Sequence, residues 1–282
     1  MGRIQRFGHR ALSGSPIRHL AREIHQNSLD SAETKPGSHE KEVVRVVIRH
    51  FQVDTGDIPS VDALKKTVEY CKIAAKKESE KAQQFFDTAT SELNKKKISV
   101  LEISDFNTRG MRGPAENGTS YFAFMKAKGQ SRKESATATG SFGIGKFAPY
   151  AVSKLRTVFV STVYQDDKGN YHQLTQGKSI LMSHDVGSKR KQGAGFWGAI
   201  ERCQPVSGVR PDLPSWIQRA DTPEKLPQSK GTKLTVLAFD AAPGWQESLA
   251  ASVAENWACP EFCVNGPLAG NCRLVRRHNE HQ

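Results

Sequence analysis

Residues 23–32, with the sequence EIHQNSLDSA, decide how the rest of the chain is interpreted. They end a segment, residues 15–32, whose apolar residues recur at helical spacing and so predict one amphipathic helix. On that helix Glu23 and Asn27 share a face one turn apart, and Asp30 follows Asn27 by three residues. A carboxylate and a carboxamide placed in this way can hold a water molecule and a magnesium ion. Such pairs also occur on helices that merely face solvent, so the segment needs support from others.

The second segment is ISDFNTRGM, residues 103–111. Residues 98–103 are rich in β-branched and apolar residues, which predicts a strand, and Asp105 leaves that strand into a turn containing Gly110. A carboxylate in this position can accept a hydrogen bond from a nucleobase amine. An ordinary turn aspartate is the other interpretation that this segment leaves open.

The third segment is GSFGIGKFAPY, residues 140–150, and the fourth is KGTKL, residues 230–234. Glycines at the density of the third let a backbone approach phosphates, and the helix predicted after them offers N–H donors to an anion. The segment is not a Walker motif, because Phe147 follows Lys146 where serine or threonine is required. In the fourth segment Thr232 opens a predicted strand, and its hydroxyl is suited to fixing the base acceptor.

Around these segments the sequence predicts an α+β protein, with a helix, a strand, further helices, a second strand, a long loop and then antiparallel strands. The predicted strands are residues 43–48, 98–103, 157–164, 171–175 and 233–239. The predicted helices are residues 15–32, one or two surface helices within 61–97, a short one at 121–126 and one at 245–257. Residues 187–228 are interpreted as loops with an ill-defined helix near Trp216.

Composition narrows the class of partner. The chain has 41 Lys and Arg against 29 Asp and Glu, and a net charge of +12 favours nucleotides, nucleic acid or other polyanions. No run approaches the ~18 apolar residues of a membrane helix, which excludes a simple membrane protein. The start of the chain has no apolar signal core, and five cysteines are an odd number. We therefore expect free thiols in a reducing compartment, the cytoplasm.

In order and in local structure, the four segments resemble the N, G1, G2 and G3 boxes of the GHKL ATPase superfamily. EIHQNSLDSA is similar to its E-x-x-x-N-S-x-D-A box, and GSFGIGKFAPYAV is similar to the glycine-rich lid end of its heat-shock chaperone and MutL branches. The resemblance spans residues 15–240 and is strongest to chaperone-, MutL- and MORC-like ATPases of bacterial, defence-associated type. It implies a Bergerat-type fold, a two-layer α/β sandwich with a mixed, mainly antiparallel sheet and helices on one face.

The resemblance also implies roles for individual residues. Glu23 would be the general base toward the attacking water, Asn27 would ligate Mg²⁺, and Asp30 would support the box by hydrogen bonding. The residues expected at the adenine are Asp105, which accepts from the exocyclic amine, together with Asn107, Gly110, Met111 and Thr232. The residues expected around the phosphates of ATP are Gly140, Ser141, Phe142, Gly143, Ile144, Gly145 and Lys146.

The second box departs from the usual Asp-x-Gly-x-Gly pattern. Asn107 stands in place of the first glycine, and Gly110 comes one residue late. Asparagine tolerates a left-handed backbone, so we expect the turn to survive.

The resemblance divides the chain into a flexible arm at residues 1–14, an ATP-binding domain at 15–245 with a lid at about 110–145, and a helix with a basic, cysteine-containing tail at 246–282. In several branches a following transducer domain supplies a lysine to the γ-phosphate. Only about forty residues follow Phe239, fewer than a domain of that kind needs, so we expect it to be absent or truncated.

The predicted function is Mg-ATP binding with slow hydrolysis. ATP-driven lid closure or homodimerisation would act on a protein partner, or on DNA through the basic surface. The alternative is a non-hydrolysing module that senses nucleotide or binds nucleic acid.

Overall fold

The computed structural model describes residues 15–127 and 145–256, together with the backbone of residues 271–275. The helices in these ranges are α1 (Pro16–Asp30), α2 (Val61–Ala75), α3 (Glu80–Asn94), α4 (Ser120–Met125), α5 (Ala148–Ala151) and α6 (Trp245–Asn256). The strands are β1 (Arg45–Asp54), β2 (Lys97–Phe106), β3 (Thr157–Gln165), β4 (Tyr171–Ile180), β5 (His184–Val186), β6 (Lys189–Lys191), β7 (Ala194–Trp197), β8 (Val206–Ser207), β9 (Gly231–Leu237) and β10 (Asn271–Val275).

One large sheet organises the chain. Its strand order is β10-β1-β2-β9-β3-β4-β7, with β8 paired to β4, while β5 and β6 form a separate hairpin. The α+β class predicted from the sequence is confirmed. Every pairing between described strands is antiparallel, so the expectation of a mixed sheet finds no support in this part of the chain.

Helices cover both faces of the sheet. Leu101 and Val236 pack in one buried cluster with α1, α5 and α6. Their neighbours Val100 and Leu237 pack in a second cluster with α2 and α3. Side chains alternate between the two faces of a strand, so the two clusters lie on opposite faces. The expectation of helices on one face is therefore wrong: the central strands are apolar on both sides, and the α2–α3 pair buries the second side.

The helix that carries the first segment is amphipathic as predicted. Leu20, Ala21 and Ile24 are buried on the sheet side of α1, whereas Asn27 is exposed. Pro16 occupies the first turn, where its missing N–H costs nothing. Ser15 is the N-cap, but its side chain makes no capping hydrogen bond. The apolar side of α1 therefore fixes which residues of the first segment remain available to a ligand.

Residues 187–228 differ from the expectation of loops with a helix near Trp216. Short strands β6, β7 and β8 and several 3-10 turns lie in this region. Around Trp216 the chain makes only a turn, in which the Ile217 amide donates to the Pro214 carbonyl at 3.0 Å. Strands of two to four residues are too short for a periodic signal, which explains why the sequence did not reveal them. The strand β10, whose backbone pairs with β1, was also not predicted from the sequence.

Within the described ranges, no helix is both long and apolar enough to cross a bilayer.

The first core cluster generates a stability prediction. Leu101 is 0% exposed at the centre of the sheet, where it lies opposite His50 of β1 and Val236 of β9. We expect Leu101→Ala to lower the free energy of unfolding by about 2–5 kcal/mol, because it removes buried surface and leaves a cavity. Urea denaturation measures the change. Ile73→Ala on α2, where the side chain is exposed, is the control and should change stability by no more than about 0.5 kcal/mol. A loss under 1 kcal/mol at Leu101 would contradict the packing described here.

Candidate functional site

Backbone contacts join the end of α1 to the turn that follows β2. The Arg109 amide donates to the Ser31 carbonyl at 2.8 Å, and the Glu33 amide donates to the Asn107 carbonyl at 3.0 Å. The Arg109 guanidinium also donates to the Asp30 carbonyl at 2.9 Å. Asn107 has φ +61°, so the left-handed turn expected at this position is present. These contacts bring the first and second segments together.

The Asp105 carboxylate connects three parts of the chain. Its Oδ1 accepts from the Thr108 hydroxyl at 2.6 Å and from the Thr232 amide at 2.7 Å. Its Oδ2 accepts from the Ser28 hydroxyl at 3.3 Å. A carboxylate offers roughly four lone-pair positions, so these three donors leave capacity for a further one. The first, second and fourth segments therefore meet at one acceptor.

A glycine allows β9 to approach Asp105. Gly231 has φ +123°, and a Cβ at that position would lie 2.6 Å from the Asp105 carbonyl oxygen and 2.7 Å from its Oδ1. Any side chain there would strain the backbone and displace the strand that carries Thr232. The Gly-Thr step of the fourth segment thus has a physical reason. Its threonine contributes a backbone N–H to Asp105, whereas the sequence had suggested the hydroxyl.

Arg219 holds the same region from the other side and was not found from the sequence. Its guanidinium lies over the Phe106 ring at 4.1 Å, donates to the Ser229 carbonyl at 2.8 Å and also donates to the Asp105 carbonyl. Burial lowers the pKa of Arg219 to about 10. Nothing in the local sequence signals this role, because the partners of Arg219 are brought near it only by the fold.

Thr162 places Gly110 and Met111 beside the fourth segment. Its buried hydroxyl accepts from the Met111 amide at 2.7 Å and lies 3.4 Å from the Thr232 hydroxyl. Gly110 has φ +67° and lies against the backbone of Val163. Met111 packs partly buried against the first core cluster. Gly110, Met111 and Thr232, all expected near the adenine, therefore lie in one neighbourhood with Asp105.

Glu23 is half-buried on α1 and lies against Gly145 of the third segment. A methyl group on Gly145 would overlap the Glu23 carboxylate where it now lies, so a side chain there would displace that carboxylate. Burial raises the pKa of Glu23 above its ordinary value, although the positive charges of Arg22 and His19 partly oppose the shift. The carboxylate accepts no hydrogen bond from any described residue. A carboxylate with a raised pKa and free oxygens is suited to accept a proton from water.

Asn27 and Asp30 lie at the exposed edge of α1. Neither side chain makes a hydrogen bond within the described part of the chain, so the support expected from Asp30 is supplied by Ser28 instead. Asn27 lies one turn from Glu23 with its amide oxygen free to act as a ligand. Described residues contain no group of three or more His, Cys, Asp or Glu suited to a metal. The donor set nevertheless fits Mg²⁺ bound by one protein oxygen and by phosphates, which is a common arrangement.

Two expected ligands use their side chains within the protein. The Lys146 ammonium donates to the Ala127 carbonyl at 2.6 Å and to the Ala123 carbonyl at 3.4 Å, at the end of α4. The Asn107 amide donates to the Val43 carbonyl at 2.7 Å, away from Asp105. The remaining residues expected around the phosphates lie outside the described residues, and these are Gly140, Ser141, Phe142, Gly143 and Ile144.

The described site residues form two groups that α1 connects. Ser28 contacts Asp105, which also accepts from the Thr232 amide, while Gly145 lies against Glu23. Ser28 and Glu23 are five residues apart, which corresponds to about 7.5 Å along a helix. The sequence could have indicated both hydroxyl partners of Asp105. Ser28 belongs to the first segment, and Thr108 follows Asp105 at a spacing typical of a turn. Thr162 had no such signal, because a threonine inside a strand is common.

Comparisons with known proteins do not assign this chain to a family. No protein-family model matches it, no curated protein is similar to it, and no solved structure matches it. Its function is therefore inferred from its own residues and their contacts.

The raised pKa of Glu23 generates a prediction about stability. The pKa of Glu23 is higher in the folded protein than in the unfolded chain. At a pH above the folded-state pKa, the ionised carboxylate therefore lowers the free energy of unfolding. At a pH below the unfolded-state pKa, Glu23 is protonated in both states and has no such effect. We therefore expect Glu23→Gln to raise the free energy of unfolding at pH 8 and to change it little at pH 4, as measured by urea denaturation.

The matched control is Glu224→Gln. Backbone hydrogen bonding lowers the pKa of the exposed Glu224, so its replacement should give no stabilisation at pH 8. A Glu23→Gln variant that is less stable than the original chain at pH 8 would contradict the description of Glu23 as a carboxylate without a partner.

Proposed function

We propose that this chain binds Mg-ATP and hydrolyses it slowly, as an ATPase of the GHKL superfamily with a Bergerat-type sandwich. The observation that carries this proposal is the Asp105 carboxylate, which accepts hydrogen bonds from Ser28, Thr108 and Thr232. Three segments that resemble separate boxes of one superfamily thereby meet around a single acceptor. The α2–α3 pair on the second face is an addition to the simple two-layer arrangement.

The Asp105 end of the site is suited to adenine. Its carboxylate has one acceptor position beyond those already used, and it would accept the exocyclic amine of the base there. Gly110 and Met111 lie beside it through their contact with Thr162 and would line the base. Guanine carries a carbonyl where adenine carries this amine, so a carboxylate in this position discriminates against GTP. The proposal therefore includes a preference for adenine over guanine nucleotides.

The Glu23 end of the site is suited to the phosphates. Gly145 permits the backbone to pass close to Glu23, and the free amide oxygen of Asn27 would hold Mg²⁺. A magnesium ion bound there would neutralise phosphate charge. Glu23 would orient a water molecule and accept its proton as the water oxygen bonds to the γ-phosphorus. The bond from that phosphorus to the bridging oxygen breaks, and ADP leaves with the electron pair.

The nucleotide state would act on a partner through the lid or through pairing of two chains. The lid at about residues 110–145 includes the described loop that carries Met111 and the helix α4. Its closure over ATP would order the segment and transmit the state of the nucleotide. Exposed lysines on α2, on α3 and in the turn between them offer a basic surface to DNA or to an acidic protein, and they include Lys66, Lys76, Lys77 and Lys81. A reducing cytoplasmic location belongs to the same proposal.

A second candidate is a module that senses nucleotide or binds nucleic acid without hydrolysis. The observation that favours it is Lys146, whose ammonium donates to two carbonyls of the protein and so has only one of its three donors left for a phosphate. Phosphoryl transfer depends on charge neutralisation, so a site with too little positive charge would bind ATP and turn it over poorly.

The adenine site is tested by calorimetric titration with a non-hydrolysable ATP analogue and the matching GTP analogue, both with magnesium. We expect Asp105→Asn to lower the preference for the ATP analogue by about 10- to 100-fold, because it removes a charged acceptor for the amine. Asp57→Asn, at an exposed turn, is the control and should keep the original preference. Circular dichroism checks that each variant is folded. A folded original chain that binds neither analogue would overturn the proposal.

The hydrolytic step is tested by Glu23→Gln with the same binding assay beside a phosphate-release assay. We expect turnover to fall by about 100-fold or more while affinity for the ATP analogue stays within about threefold, since a general base acts on the reaction and not on binding. The rate of the original chain should rise with pH through an apparent pKa above the ordinary glutamate value. Binding without turnover by the original chain, unchanged in the variant, would favour the sensing module.

A further inference from the structure

Three lysines from distant parts of the chain meet at the end of α4. Lys178 lies on β4 and is 7% exposed, and its ammonium donates to the Met125 carbonyl at 2.7 Å. Lys146 donates to the Ala127 carbonyl at 2.6 Å. Lys126 donates to the Cys203 carbonyl. We call this set the lysine cluster.

The lysine cluster has no anionic partner among the described residues. No carboxylate lies within 4 Å of any of the three ammonium groups. Their acceptors are backbone carbonyls, and the Phe196 ring lies 3.8 Å from the Lys126 nitrogen and 5.6 Å from that of Lys178. Each ammonium carries three donors, so the described contacts leave several of them unused.

The protein bears an electrostatic cost for this arrangement. The pKa of Lys178 falls to about 8, first because of burial and then because of the positive charges of Lys146 and Lys126. Burial also lowers the pKa values of Lys126 and Lys146. Lysines at the last carbonyls of a helix are a common stabilising feature. α4 has only six residues, however, and one cation is enough for that purpose.

A neighbouring buried group also lacks a partner. Gln176 precedes Lys178 by two residues and so lies on the same face of β4, with 0% exposure. Its Nε2 donates at 2.6 Å to the Cys203 carbonyl, the acceptor that Lys126 also uses. Its buried Oε1 accepts no hydrogen bond from the described chain. An acceptor beside unused ammonium donors fits a hydrated or protonated oxyanion, which both accepts and donates.

We propose that Lys126, Lys146 and Lys178 form a binding site for a phosphate-type anion, either the terminal phosphate of a nucleotide or free inorganic phosphate. Gly145 lies against Glu23, and Lys146 is the next residue in the chain. The lysine cluster therefore adjoins the Glu23 end of the site, which the proposed function assigns to the phosphates. The nucleotide source rests on the proposed function, whereas the free-anion source does not. With the nucleotide source, the lysine cluster supplies from within this chain the cation that a transducer domain supplies in several branches.

The first experiment compares affinities for the non-hydrolysable ATP analogue and for ADP by calorimetry. Lys178→Met keeps the approximate length of the side chain and removes its charge, whose burial lowers the pKa of Lys178. We expect the preference for the triphosphate over ADP to fall by about 10- to 100-fold while ADP affinity changes by less than about threefold. Lys66→Met on the exposed surface of α2 is the control and should leave the preference unchanged. Lys126→Met serves the same test if Lys178→Met does not fold.

The second experiment uses inorganic phosphate alone and reports on the lysines directly. Lysine side chains are ¹³C-methylated, and the resonance missing from Lys178→Met is titrated with pH in phosphate and in sodium chloride of equal ionic strength. A bound dianion favours the charged ammonium, so we expect phosphate to raise the pKa of Lys178 from about 8, by about one unit.

The outcomes separate this inference from the proposed function. A pKa rise with phosphate in a chain that binds no nucleotide supports the free-anion site and overturns the ATPase. A pKa rise together with the loss of triphosphate preference supports the nucleotide source. Asp105-dependent nucleotide binding, with no pKa rise and no effect of Lys178→Met, overturns the anion site and leaves three lysines that only cap α4.

Discussion

The carboxylate of Asp105 is the interaction on which the candidate site depends. It joins a helix near the start of the chain, the turn after β2 and the first residues of β9, and Thr232 lies 127 residues beyond it in sequence. A half-buried carboxylate requires donors that water cannot fully supply, so each of these elements is held at hydrogen-bonding distance. The close approach of Gly231 and the guanidinium of Arg219 complete this constraint from the side of the sheet. The core clusters hold the elements together, but Asp105 fixes how their polar ends meet.

Charge is distributed along the site in a way that matches a nucleotide. An acceptor with spare capacity lies beside Ser28 on α1. About one and a half turns away, the Glu23 carboxylate has no hydrogen-bond partner among the described residues, and ammonium groups surround the end of α4. The amine of a base requires a hydrogen-bond acceptor, whereas a polyphosphate requires cations and hydrogen-bond donors. The Asp105 end of the site offers the first, and the lysine cluster offers the second. Burial disfavours the charged forms of Glu23 and Lys178, and the proposed functions would use both groups. Residues that oppose local stability in this way are typical of functional sites.

Sequence reasoning found the elements whose periodicity is long and regular. The helices α1 and α6, the hairpin of β3 and β4 and the strand β9 were all predicted, from the spacing of apolar residues in the helices and from β-branched runs and a turn sequence in the strands. It failed for β6 to β8, which are too short for such a pattern, and for the placement of α2 and α3. The amphipathic sequences of α2 and α3 show that each helix has a buried face. They do not show which side of the sheet the two helices cover.

The sequence by itself determined the chemistry available, namely the carboxylates of Glu23 and Asp105, the amide of Asn27 and the glycines at 145 and 231. It also determined the left-handed turn at Asn107, because asparagine tolerates a backbone that most residues avoid. Only the tertiary structure decided that Ser28 and the Thr232 amide bind Asp105, that Arg219 stacks on Phe106 and that Lys126, Lys146 and Lys178 meet. These contacts join residues tens to more than a hundred positions apart. Their distances depend on how helices and strands pack, and no local pattern of residue types records that packing.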